Sequence, residues 1–178
     1  MSKNFIPTIN ISSLLDCNFK SKNSLKTIKK IEIACKKVGF FQITGHGISK
    51  NNIENTCFVG KKFFTLPKKN KIKLSPNKWN VKNKNKYRGY FPNDVNGKEG
   101  LDIGDLKVSR KYALKIKNKY IEHLDLKKNL DKKSIKILSN YFDKIFSLGE
   151  CLFKGIVKLH RKDTKITKEA FSRLKTLS

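Results

Sequence analysis

Apolar positions recur in two rhythms along the 178 residues, an alternating one and a three-four one. Ile6-Pro7-Thr8-Ile9-Asn10-Ile11 alternates and is rich in β-branched residues, which predicts a short strand with Pro7 at its start or on an edge. Ser12 to Leu15 reads as a turn or a short helical turn. Three-four spacing follows at Leu25, Ile28, Ile31, Cys35 and Val38, predicting a helix capped by Ser24 and ended by Gly39. Lys26, Lys29, Lys30, Lys36 and Lys37 fill its other face. Phe40 to Thr44 predicts a strand buried on both faces, closed by a Gly45-His46-Gly47 turn. A second helix, capped by Ser49, turns Ile53, Cys57, Gly60, Phe63 and Phe64 inward. Leu66-Pro67 breaks it, and Pro67 suits the first turn of a short helix through Lys73.

Ser75 to Lys86 is rich in Asn and Lys, has little periodicity and reads as a mobile loop. Tyr87-Arg88-Gly89-Tyr90-Phe91-Pro92 clusters aromatic rings around an arginine and a glycine. Asn96-Gly97 signals a turn, and Asp102 to Tyr112 is open between a bent strand and a loop. The strongest pattern comes last. From Lys132 to His160, apolar side chains at 135, 138, 141, 142, 145, 148, 152, 156 and 159 keep three-four spacing. That predicts a helix of roughly 40 Å at about 1.5 Å per residue. Such a helix needs a large partner surface. Thr167 caps a last short helix carrying Phe171 and Leu174, and no internal repeat is evident.

Composition changes this picture in three places. The formal charge of +27 invites a nucleic-acid reading, but only Arg88, Arg110, Arg161 and Arg173 among the 41 basic residues are arginines, the side chain that pairs bidentately with guanine and phosphate. The lysines are spread over almost every segment. Lys, Asn and Ile, all abundant, share A/T-rich codons, so codon bias on a solvated surface accounts for the charge, with salt-sensitive polyanion retention as its by-product and no specific nucleic-acid partner. Cys17, Cys35, Cys57 and Cys151 form no Cys-x-x-Cys pair and have no histidine at ligand spacing; they read as buried free thiols, not as a zinc site or disulfide framework. No apolar run is long enough to span a membrane and the N-terminus has no signal-peptide core, so the expectation is a cytoplasmic protein without membrane partners.

Five motifs stand in order: Ile6-Pro7-Thr8-Ile9-Asn10; Val38-Gly39-Phe40-Phe41-Gln42-Ile43-Thr44-Gly45-His46-Gly47-Ile48; Phe63-Phe64-Thr65-Leu66-Pro67 with Lys71-Ile72-Lys73-Leu74; Arg88-Gly89-Tyr90; and Asp105-Leu106-Lys107. Together they resemble the front of the isopenicillin N synthase-like, non-haem Fe(II)/2-oxoglutarate-dependent dioxygenases. Val108 stands where that family's fifth motif has an acid. The Phe171–Ser178 ending resembles the family's connection into its catalytic barrel.

The resemblance implies an α/β (α+β) fold: the N-terminal support domain of a double-stranded β-helix oxygenase, with short strands, several helices and one long helix, and with the jelly-roll barrel absent from this chain. Residues 1–178 would be one such domain, divided into a strand-and-helix region 1–130, the long helix 131–161, and a connection 162–178 into the missing barrel. In the family, His-x-Asp and a distant His hold Fe(II), an Arg-x-Ser holds the 2-oxoglutarate carboxylate, and both groups lie in the barrel. The chain is then expected to bind neither Fe(II) nor 2-oxoglutarate, to carry no catalytic residue, and to need a barrel in cis or in trans before a small molecule is oxidised.

His123-Leu124-Asp125 has the His-x-Asp spelling, with His160 as the only later histidine. It falls before the family's barrel and no Arg-x-Ser follows, so it reads as a connector and not as an iron site. His46 reads as a hydrogen-bonding turn residue. Arg88 and Tyr90 are the candidate substrate-binding residues, since this loop lines the substrate entrance in some family members; packing of a surface loop is the alternative. Two other functions stay open: a stand-alone, non-enzymatic binding module, and a lysine-rich nucleic-acid binder.

Overall fold

A computed structural model describes residues 6–93, 97–116 and 121–160. Its order is β1 (Thr8–Asn10), a 3-10 turn (Ser12–Leu14), α1 (Lys22–Lys37), β2 (Gln42–Thr44), α2 (Lys50–Phe64), α3 (Lys68–Ile72), β3 (Gly89–Phe91), β4 (Gly100–Asp102), α4 (Arg110–Lys115) and α5 (Lys132–His160). Helix and short strands mix as expected. The strands form two two-stranded sheets, and none closes into a barrel among the described residues. The predicted Asn96 turn residue and the Thr167 cap with Phe171 and Leu174 lie outside the described residues.

The chain divides into two units, residues 6–49 with 144–160 and residues 50–143. In the first, β1 and β2 pair in parallel, Ile9 opposite Ile43, with α1 as the crossover that a parallel pair requires. Ile9 points inward and Thr8 and Asn10 outward, the two-residue period of a strand. β2 takes three of the five residues expected, and it is not buried on both faces. Gln42 and Thr44 face out, Phe41 and Ile43 pack on the core, and Phe40 is 72% exposed, because apolar side chains cover only one face of so small a sheet.

α1 corrects two expectations. Its cap is Ser21, whose Oγ accepts from Ser24 N at 3.0 Å, and Ser24 lies inside the first turn. Its inward face is Ser24, Thr27, Ile28, Ile31 and Ala34, while Leu25 and Cys35 are exposed. The rotation is possible because the buried hydroxyls are satisfied: Ser24 Oγ donates to Ser21 O at 2.9 Å and Thr27 Oγ1 pairs with Ser13 Oγ at 2.9 Å. The core joins Ile9, Ile11, Leu14, Phe19, Ile28, Ile31 and Ala34 to Cys151 of α5, with Leu148, Leu152 and Ile156 against it.

The cysteine expectation fails here. Cys17 and Cys151 form a disulfide, and the free thiols Cys35 and Cys57 are exposed. A pair 134 residues apart carries no spacing signal.

In the second unit Val59 and Phe63 of α2 are buried with Leu74, Tyr90, Leu124, Leu126, Leu130 and Leu138. Cys57 of α2, expected inward, is exposed. Asp131 caps α5, accepting from Ser134 N at 2.8 Å, and also pairs with Lys62. The 75–86 segment is a loop, as expected, and it is tied by hydrogen bonds. Asn77 N donates to Asn85 O at 2.8 Å, which draws its ends together, and Asn80, Asn83 and Asn85 side chains donate to Lys73 O, Ser75 O and His123 O. Asparagine amides replace the missing ladder partners, so the asparagines that gave the segment its lack of periodicity are the ones that close the loop. No described helix is long and apolar enough to cross a membrane.

Candidate functional site

The Arg88-Gly89-Tyr90 segment, within the second unit, is held from three sides. Glu122 accepts from three successive backbone amides, Lys86 N at 2.7 Å, Tyr87 N at 2.9 Å and Arg88 N at 2.8 Å. One carboxylate thus satisfies three donors that precede a strand. Behind Gly89, at φ +127°, a side chain could not fit: a Cβ there would stand 2.0 Å from Leu74 O, which accepts from Tyr90 N at 3.2 Å. The antiparallel pairing of β3 with β4 then sets Gly89 opposite Asp102, so that the preceding Arg88 reaches the Asp102 carboxylate, Nη1 to Oδ2 2.9 Å.

Tyr90 behaves differently. Its ring is 2% exposed and packs edge-on against Phe63, and its hydroxyl donates to Glu99 Oε2 at 2.7 Å. Glu99 Oε2 also accepts from Lys71 Nζ at 2.7 Å. Lys71 is 6% exposed; its ammonium donates to Phe64 O at 2.8 Å and sits 5.2 Å from the Tyr90 ring centre. Burial of a lysine is tolerated because its donors are met by a carbonyl, a carboxylate and a π-face. The Lys71 hydrogen bond, followed by that of Tyr90, holds the Glu99 carboxyl below its ordinary pKa.

A concavity of about 550 Å³ opens over β4. Arg88, Lys98, Glu99 and Asp102 supply its charges, and Phe91, Leu101, Ile103 and Phe142 its apolar wall. Arg88 lines it directly. Tyr90 reaches only its edge, through Glu99. Within the described residues Nη1 is the one Arg88 guanidinium nitrogen with a hydrogen-bond acceptor, so the remaining N–H groups are open to a carboxylate.

Residues 6–136 match the family described as non-haem dioxygenase in morphine synthesis, N-terminal. The chain belongs to that family. It is 38% identical over 87 residues to the 2-oxoglutarate-dependent dioxygenase tropC of Talaromyces stipitatus, covering 49% of this chain and 26% of the relative. It is 35% identical over 105 residues to a homoarginine-6-hydroxylase of Arabidopsis thaliana, covering 55% of this chain and 28% of the relative. A probable iron/ascorbate oxidoreductase of Dictyostelium discoideum is 30% identical over 171 residues, 85% of this chain and 44% of the relative. The chain therefore spans less than half the length of these relatives.

The family implies Fe(II) and 2-oxoglutarate, and the described residues offer no cluster that fits the metal. No group of three or more His, Cys, Asp or Glu side chains could hold a metal ion among those residues. His123 Nδ1 is engaged 2.7 Å from Val108 O, and Asp125 Oδ1 accepts from Lys127 N at 3.0 Å, so the His-x-Asp spelling belongs to a packed connector in which Leu124 is buried. His46 takes the turn role expected of it: its Nδ1 accepts from Ile48 N at 3.1 Å.

Nothing in the sequence singles out Glu122, Glu99 or Gly104, and Lys71 stands there only as one member of a motif. A lone carboxylate 34 to 36 residues from the amides it binds has no local signature.

Proposed function

We propose that the chain is the N-terminal support domain of a 2-oxoglutarate/Fe(II)-dependent oxygenase of the double-stranded β-helix type, oxidising a small molecule. The iron and 2-oxoglutarate would be held by a catalytic barrel, reached in cis through residues 162–178 or supplied in trans. The match over residues 6–136 to the N-terminal family carries this reading. When bound in the barrel, the iron would supply oxidation powered by decarboxylation of 2-oxoglutarate. This chain's part would be to position the substrate, with the Arg88 guanidinium binding a carboxylate and Tyr90 bracing the loop through Glu99.

The DNA past codon 178, read in three frames, tests the first half. A barrel with His-x-Asp, a distant His and Arg-x-Ser is expected, and CO2 release from 2-oxoglutarate with Fe(II) is expected only when that barrel is present. Stoichiometric Fe(II) binding or turnover by residues 1–178 alone would overturn the reading. For the second half, Arg88→Gln in the assembled enzyme is expected to raise KM for the substrate at least tenfold and leave that for 2-oxoglutarate unchanged. An unchanged substrate KM would return Arg88 to loop packing.

A further inference from the structure

We propose that Cys17–Cys151 is a reversible redox latch, fastening the 15–21 loop to α5 and opening when a small thiol reduces it. The two ends are unlike. Cys17 is exposed on a loop, whereas Cys151 is 4% exposed within the first unit's core. Cys17 is therefore the end of the pair that solvent reaches, and access decides which sulfur an incoming thiolate attacks. Cys35 and Cys57 are exposed yet unpaired, so the pairing is selective.

The loop has the features of an element that can let go. Its backbone bonds are short-range: Cys17 N to Leu14 O at 2.9 Å, Asn18 N to Asp16 Oδ1 at 2.8 Å and Lys20 N to Asn18 Oδ1 at 3.3 Å. Cys17 itself is the one non-glycine residue with positive φ among those described, at +52°. Such a backbone persists only where its surroundings over-determine it, and the bond to α5 is one of those restraints. Two further ties run to α5: Lys158 Nζ donates to Phe19 O at 3.0 Å, and Phe19 packs over Gly155, where a Cβ would stand 3.3 Å from its ring. The loop ends at Ser21, the α1 cap, so its release reaches the first turn of α1.

Two glutathione molecules are the reductant. The thiolate of the first attacks Cys17 Sγ, the Cys17–Cys151 bond breaks, and its electron pair leaves on Cys151 Sγ, which takes a proton. The thiolate of the second attacks the glutathione sulfur of the mixed disulfide and releases Cys17, which takes a proton. Two electrons pass to the protein and the two glutathiones become oxidised glutathione, which reverses the exchange by the same steps.

The test uses the 178-residue chain, equilibrated across a series of reduced and oxidised glutathione mixtures. Alkylation with peptide mapping follows each thiol, and amide exchange follows the backbone. Expected are labelling of Cys35 and Cys57 throughout, joint appearance of Cys17 and Cys151 as the mixture turns reducing, and at least tenfold faster exchange at residues 15–21 with α2 amides unchanged. Cys17→Ser, and independently Cys151→Ala, should show the fast loop in every mixture. Labelling of Cys17 and Cys151 under the most oxidising mixture would overturn the proposal. So would a bond that stays closed at the reducing end, an unchanged loop on reduction, or exchange that accelerates everywhere at once.

Discussion

Arg88 lies across Gly104: a Cβ at position 104 would stand 2.5 Å from Arg88 Nε and 3.0 Å from its Cδ. Gly104 also has φ +55°, where an L side chain costs about 1–2 kcal/mol. Gly104→Ala is therefore expected to destabilise the chain by about 1–2 kcal/mol and to lift the guanidinium from Asp102. Urea midpoints give the first effect. The Arg88 Nε–H resonance gives the second, and an unshifted resonance would show that the floor under Arg88 is not needed.

Glu122 offers a sharper result, because three amides depend on it. In Glu122→Gln one carboxylate oxygen becomes an NH2 that faces N–H donors. A loss of about 1–3 kcal/mol is expected, the usual cost of leaving partly buried donors unsatisfied. Amide exchange should accelerate at Lys86, Tyr87 and Arg88 and not at α2. A uniform acceleration would mean that Glu122 acts on global stability and not on this loop.

Gly89 has the least room of any position in the site. A Cβ would meet the Leu74 carbonyl oxygen at 2.0 Å, and backbone cannot swing aside as a flexible side chain does. Gly89→Ala is expected to cost at least about 3 kcal/mol, in the range reserved for strain at special backbone positions. It should also abolish the Tyr90 N to Leu74 O bond. A thermal midpoint within about 2 °C of the parent would contradict this close approach, since about 1 kcal/mol moves a chain of this size by 2–4 °C.

These three residues show what the sequence could and could not disclose. Sustained spacing made α5 legible with its ends within a residue or so, because many positions agree. The turn at Gly45-His46-Gly47 and the stop at Leu66-Pro67 were legible for a local reason, backbone chemistry carried by the residues themselves. α1 was found but misrotated, since Ser24 and Thr27 read as polar and yet were buried by hydrogen bonds to neighbours invisible in a hydrophobicity pattern. Arg88 and Tyr90 were found through their motif, but not their different settings. What was illegible was long-range: Glu122 on three amides, Lys71 on Glu99, and Cys17 on Cys151 are pairings made by topology, with no periodicity to announce them.

The net charge of +27 leads to a prediction about polyanions. Binding to duplex DNA is expected at low salt, with the logarithm of affinity falling linearly as log salt rises, by about 0.9 per phosphate contact. Scrambling the DNA sequence should leave the curve unchanged. A sequence preference that survives at physiological salt would instead indicate a selected nucleic-acid site and displace codon bias as the origin of the lysines.

Acid should loosen α5 at its first turn and α1 along its outer face. Asp131 is held well below the usual carboxylate range, first by its hydrogen bond with Lys62 and then by the Ser134 amide. Glu32 is lowered from 4.5 to about 2 by hydrogen bonds with Lys29 and Lys36, at 2.7 and 2.6 Å. A depressed carboxylate binds its proton more readily in the unfolded chain. Its stabilisation is therefore complete above the unfolded value near 4 and drains away as pH falls toward the folded one. Between about pH 4.5 and 2 the unfolding midpoint is expected to fall, and Glu32→Gln and Asp131→Asn should each flatten that slope, lying below the parent at pH 7 and approaching it as pH falls. Asp131 and the lysines that pair with Glu32 are exposed, so 1 M salt should shrink the difference between parent and variants. Asp131→Ala separates the two parts played by one side chain: it also removes the cap on Ser134, so it should lie below Asp131→Asn by a similar margin at pH 7 and in acid. If Asp131→Asn and Asp131→Ala lost the same stability at every pH, the cap would contribute nothing and the Lys62 pair alone would anchor the start of α5.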